Sequence, residues 1–161
     1  MTPGDLVEIE QIHQLKYRYA RLIDTKQWAE LAEVFAPDAT ASYGGGATEL
    51  EGRAAIMDFL TGAMSDESML TSHKMHHPEI TLTGPDAAEG IWALDDVVIL
   101  GALGLTVRGS SFYEDRYVKR DGRWVFAHTG YRRVYEEIEP RSPKLKLTAS
   151  WFATGGRSKL Q

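Results

Sequence analysis

Between Leu6 and Thr25 the apolar residues Leu6, Ile9, Ile12, Leu15, Tyr19, Leu22 and Ile23 recur every third or fourth position, the spacing of an amphipathic helix, with Asp5 as its expected N-cap. A second helical pattern runs from Trp28 to Phe35 and stops before Pro37, because proline supplies no N–H to a helix interior. Ala39 to Tyr43 reads as a short strand, and Gly44-Gly45-Gly46 lets the chain turn freely. A third helix is expected from Gly52 to Met64 with Ile56, Phe59 and Leu60 facing inward. The pattern then becomes extended, with strands expected at His73 to Thr83, Ala88 to Leu100, Thr106 to Lys119 and Arg123 to Tyr135. Gly84-Pro85-Asp86 and Arg120-Asp121-Gly122 supply turns, and Gly101 to Leu105 an apolar loop. Helices first and a meander of long strands after them predict an α+β domain whose mainly antiparallel sheet curls over the helices. From Glu136 the chain is turn-rich. The tail Leu145 to Gln161, with Trp151 and Phe152, reads as a free end or as an arm on a neighbouring subunit.

The period of two within the strands selects the residues of interest. His73, Met75 and His77 point to one face and Lys74, His76 and Pro78 to the other, so the first long strand can send imidazole inward. On the next strand Trp92, Leu94 and Asp96 share a face, and a carboxylate in such company calls for a partner; Arg132 or Arg133 can supply one. Tyr19 lies on the apolar face of the first helix, where its phenol wants a hydrogen bond. Asp24, at that helix's end, can either cap the next helix or hold an imidazole. Histidine titrates near neutrality, so His73 beside Asp24 is a candidate general base. His128, on the last strand with Phe126 and Gly130, can line the same cavity; His13 is expected to be exposed.

Composition narrows the chemistry further. The 161 residues suffice for one domain with a sizeable core, and a net charge of −5 spread along the chain argues against nucleic acid or an anionic membrane as partner. There is no cysteine, so thiolate zinc sites and cysteine nucleophiles are excluded. The N-terminus has no basic stretch followed by an apolar run, and no apolar stretch reaches bilayer length, which together predict a cytoplasmic protein. His73 and His77 stand roughly 13 Å apart along a strand, too far for one metal. The glycine run is followed by Ala47-Thr48 rather than by Lys and a helix, which removes a phosphate loop. Neither metal nor cofactor is expected.

Several stretches resemble the SnoaL-like branch of the nuclear-transport-factor-2-like superfamily, the group that includes scytalone dehydratase, bile-acid 7α-dehydratase and hexachlorocyclohexane dehydrochlorinase. They are Tyr-Ala-Arg-Leu-Ile-Asp closing the first helix, Phe35-Ala-Pro-Asp-Ala, Glu51-Gly-Arg, Ser72-His73, Gly90-Ile-Trp-Ala-Leu-Asp-Asp and Asp121-Gly-Arg-Trp. The resemblance covers Leu6 to Tyr135. It implies a cone-shaped half-open barrel over residues 1–138, a hydrophobic cavity, a tail at 139–161 acting as oligomer arm or lid, and a homodimer or homotrimer. It places the His-Asp dyad of these lyases on His73 and Asp24, a tyrosine on Tyr19 and a second aspartate on Asp96. Trp92, Leu94, Met75, His77, Phe59 and His128 are then expected against a hydrophobic small-molecule substrate. An arginine on the last strand of the dehydrochlorinase falls on Thr129 here, with Arg132 or Arg133 as substitutes. The implied activity is elimination of water from a steroid-like or polyketide-like compound; a ketosteroid-type isomerase and a non-catalytic binding protein are the alternatives.

Overall fold

A computed structural model describes residues 1–160. The first helix, α1 (Pro3–Asp24), starts earlier than its apolar stripe. Thr2 is the N-cap and Asp5 the third helical residue, each side chain bonded to the other's backbone N–H in a capping box. Asp5 therefore closes the cap from inside the helix instead of being the cap. α2 (Trp28–Ala32) is a single turn, because Phe35 already belongs to a strand. That strand, β1 (Phe35–Tyr43), lies parallel to the last strand of the sheet. Pro37 is tolerated in β1 because the register breaks between Phe35 and Thr40, where no ladder bond is asked of it. Gly44, Gly45 and Gly46 all take positive φ and turn the chain into β2 (Thr48–Glu51), a short hairpin partner that the pattern did not announce. α3 (Arg53–Met64) follows.

The four long strands are β3 (Met69–Gly84), β4 (Ala87–Leu100), β5 (Leu105–Arg120) and β6 (Arg123–Pro140), which exceed their sequence patterns by five, one, two and five residues. Asp121 and Gly122 both have positive φ, as the tightest twisted hairpin requires. The sheet runs β2-β1-β6-β5-β4-β3, antiparallel throughout except for the β1–β6 pair, and it is curved and unclosed, with β3 free at one edge. α1 packs on the concave face. Beneath it Ile12, Leu15, Tyr19, Trp92, Tyr113, Tyr117 and Phe126 are buried together. The tail carries a short helix, α4 (Trp151–Thr154), and turns back on its own domain, where the Lys26 ammonium stands 5.3 Å from the ring centre of Phe152. Among the described residues no helix is long and apolar enough to cross a membrane.

One irregularity changes which side chains face inward. β3 pairs His76 with Ala93 but Glu79 with Ile91, so β3 carries one extra residue there. That bulge reverses the alternation: Pro78, Ile80 and Leu82 are half-buried, while His77 is exposed beside His76. The expectation that His77 shares the inner face of His73 and Met75 is thus corrected.

Candidate active site

Asp24 is the last residue of α1, where the helix points its end at the edge strand β3. Three donors converge on its carboxylate. The Thr71 hydroxyl donates to Oδ1 at 2.9 Å, the His73 backbone N–H donates to Oδ2 at 3.0 Å, and His73 Nδ1 lies 2.7 Å from Oδ1. An acceptor-only carboxylate at that distance puts the proton of a neutral imidazole on Nδ1, which leaves Nε2 as the basic nitrogen. Both side chains are mostly but not wholly buried, at 13% and 20% exposure, so the pair is reachable. It opens onto a cleft of about 400 Å³ between α1 and β3, lined by Tyr17, Arg21, Lys74, Met75 and His76 along with the dyad. Of the two roles open to Asp24, the imidazole partner is the one realised.

Directly across the β3–β4 ladder from His73 stands Asp96, which is buried. It is held by Arg133 of β6, which donates from both terminal nitrogens, one of them at 3.0 Å, and also reaches the Ser111 hydroxyl. Burial works against the charge of Arg133, but the bonds and charge of Asp96 outweigh it and hold the guanidinium more firmly protonated. Gly109 makes room for this pair, since a Cβ there would stand 2.5 Å from Arg133 Nη1. The guanidinium lies 5.1 Å from the ring centre of Tyr131. Asp96 is thus an anchor for a cation, and of the two arginines that the sequence offered it Arg133 is the partner.

Beyond Arg133 the concave face is tyrosine-rich. Tyr19 is buried as expected, its hydroxyl 3.4 Å from that of Tyr113. Tyr43 stacks on Phe59 of α3 at 5.6 Å and packs on Tyr131, and its buried hydroxyl completes no hydrogen bond. Burial pushes the phenols of Tyr19, Tyr43 and Tyr113 well above the ordinary range, so they stay protonated and act as donors. Under them lies a buried ion pair. Lys16 Nζ donates to Asp115 at 2.7 Å and sits 3.5 Å from the ring centre of Tyr113, while Tyr117 and Thr129 donate their hydroxyls to the same carboxylate. Burial lowers the Lys16 pKa, and the Asp115 charge opposes the shift.

Sequence reasoning missed Lys16, Asp115, Tyr43, Tyr113 and Tyr131. A signal existed for two of them: Lys16 falls within the apolar stripe, one turn before Tyr19, and Asp115 alternates with Tyr113 and Tyr117. Other expected residues land elsewhere. Trp92 and Leu94 are on the concave face but fully enclosed. The Trp92 indole donates to Tyr117 and is covered by His13 and Tyr17, so these two side chains are core under α1. His13, expected in solvent, is half-buried by that contact. His128 points to the convex face, where it pairs across strands with Arg116 and its Nδ1 meets Thr40 Oγ1 at 2.7 Å. It does not reach the dyad's side of the sheet. The one-residue alternation that puts Thr129 inside puts His128 outside.

The profile of the SnoaL-like domain matches residues 5–130. The chain belongs to that family. Solved structures share the fold of this SnoaL-like protein. A Novosphingobium aromaticivorans protein named for scytalone dehydratase superimposes with a TM-score of 0.79 at 23% identity, covering 91% of this chain and 99% of its own. A hexachlorocyclohexane dehydrochlorinase of Novosphingobium barchaimii gives 0.75 at 18% identity, over 89% of this chain and 96% of the other. A Mycobacterium tuberculosis protein of unknown function gives 0.70 at 26% identity, over 83% and 76%. In this SnoaL-like domain the cone is not an empty cup: the part under α1 is packed, and the dyad opens at the free edge of the sheet.

Proposed function

We propose that this protein is a cofactor-independent lyase that eliminates water from a hydrophobic hydroxylated ring compound, of the steroid or polyketide type. The observation that carries the reading is the fixed imidazole: His73 Nδ1 is tied to a carboxylate that two further donors hold in place, leaving Nε2 free beside a cleft. In the reaction, Nε2 takes a proton from a carbon made acidic by a neighbouring carbonyl, and the electron pair passes into an enolate. The enolate then expels the hydroxyl, which takes the proton from the His73 imidazolium, leaves as water and returns the imidazole to its neutral form. Asp24 stabilises the imidazolium that forms and keeps the ring in the productive tautomer. Arg133, held by Asp96 across from His73, adds positive charge where negative charge develops.

A general base of this kind is worth roughly 10²- to 10⁴-fold in rate. The test is mass spectrometry of hydroxylated steroids and polyketide ketones incubated with the wild type, His73→Ala and Asp24→Asn. Loss of one water that falls by that factor in both variants supports the lyase. A compound that keeps its mass while its ultraviolet absorbance shifts points to an isomerase using the same base. Turnover of a true substrate that survives His73→Ala within a few-fold refutes the role of the imidazole.

A further inference from the structure

The cleft at the dyad has charged walls that proton abstraction leaves unused. Arg21, one turn before Asp24 on α1, and Lys74, next to His73 on β3, both line it and both side chains are exposed. Neither makes a salt bridge or a side-chain hydrogen bond among the described residues. Every other ionisable partner at the cleft is matched. Asp24 is engaged by Thr71 and twice by His73, and His76 stands 3.4 Å from Asp95. Two positive charges from different elements, neither held in a salt bridge, therefore line one opening, with Asp95 across the ladder from Lys74 and engaged by His76. The rest of the wall is apolar: Tyr17 presents an exposed ring, braced by the edge-on indole of Trp92, and Met75 lies half-buried beneath.

We infer that the cleft takes a ring compound bearing a carboxylate, its rings against Tyr17 and Met75 and its anionic group between Arg21 and Lys74. An arginine fork matches a planar carboxylate in two parallel bonds, and lysine adds a second charge at the rim of the same cleft. Two cations suit a single small anion and do not suit a polyanion. A volume of about 400 Å³ accommodates a compound of two to four rings. The placement of the reacting carbon at His73 rests on the lyase reading; the recognition of the anion does not.

The probe is naphthalene-2-carboxylate against its neutral counterpart 2-naphthamide, titrated into the full chain at low salt by calorimetry, with the imidazole signals of His73 and His76 followed by NMR. Each exposed cation is expected to add roughly 2- to 5-fold to carboxylate affinity, and the preference should shrink as ionic strength rises. Arg21→Gln and Lys74→Gln should each lower carboxylate affinity by that factor and leave the amide unchanged; the double variant should erase the preference. Both positions are exposed, and far-ultraviolet circular dichroism verifies that the variants fold. Equal affinity for acid and amide in the wild type overturns the inference, as does a preference that persists in the double variant. Neither result touches the lyase reading, because the probe needs no turnover; a failed dehydration assay likewise leaves this binding test intact.

Discussion

Replacing Lys16 by methionine removes one charge from a pair in which both side chains are wholly shielded from solvent. Methionine keeps the length and most of the volume of the stem, so the change isolates the ammonium. Asp115 then retains the hydroxyls of Tyr117 at 2.8 Å and Thr129 at 2.7 Å but has no counter-charge. Breaking a buried pair in this way costs about 3–5 kcal/mol, a large part of the roughly 5–15 kcal/mol that holds a domain folded. For a chain of this length that corresponds to a fall in Tm of roughly 6–20 °C. Asp115→Asn should cost a similar amount by stranding Lys16. The double variant Lys16→Met/Asp115→Asn leaves no buried charge and mainly deprives the Tyr117 hydroxyl of its acceptor, a loss of about 1–3 kcal/mol. Urea unfolding followed by circular dichroism and tryptophan fluorescence should therefore find the double variant more stable than either single one, with coupling of several kcal/mol. A Lys16→Met protein within 1 kcal/mol of the wild type, or a double variant that equals the sum of the singles, would refute the argument.

Three further outcomes are expected. Gly109→Ala should fold but push Arg133 off Asp96, since the new methyl would meet the end of that flexible side chain at 2.5 Å and crowd the Tyr135 carbonyl at 3.1 Å. Urea unfolding should show a loss of about 1–3 kcal/mol, and unchanged stability would mean that the pair tolerates the methyl. Tyr43→Phe removes a buried hydroxyl that completes no hydrogen bond, so stability should rise by about 1 kcal/mol; marked destabilisation would reveal a partner for that hydroxyl. Burial raises the phenols of Tyr19, Tyr43, Tyr113, Tyr117 and Tyr131. Their folded pKa values exceed the unfolded value near 10, so stability is intact below about pH 10 and is lost above it, by about 1.4 kcal/mol per phenol per pH unit. Lys16 and Lys26, whose pKa values burial lowers, work in the opposite sense but are two groups against five. Tyrosinate absorbance from these phenols should rise only as circular dichroism is lost, and ionisation ahead of unfolding would contradict their burial.

What the sequence disclosed and what it withheld follow from the range of the interactions concerned. Periodicity is a local property, and it located α1, α3 and the four long strands, because alternation and the three-four spacing need only neighbouring residues. It also put Tyr19, Trp92, Leu94 and Asp96 on the buried face. The dyad was legible for a different reason: Asp24 at a helix end and His73 on a strand stand out as polar groups in apolar surroundings, and the family resemblance joined them. The bulge at His77 depends on how β3 meets β4, a pairing that no window along β3 contains, so the face of every residue beyond it was misread. His128 failed similarly: β6 carries one extra residue against the Arg116–Tyr117 step of β5, so His128 leaves the face of Phe126. Lys16 and Asp115 are 99 positions apart and look like surface charges until the sheet curls over the helix and encloses them together. Trp92 shows the limit most clearly. Its face was read correctly, yet whether an inward indole lines a cavity or closes a core depends on what α1 lays over it, and His13 and Tyr17 fill that space. The consequence reaches function: with the interior under α1 packed, a ligand that meets the Asp24–His73 dyad comes in along the free edge of β3, past the exposed side chains that line it.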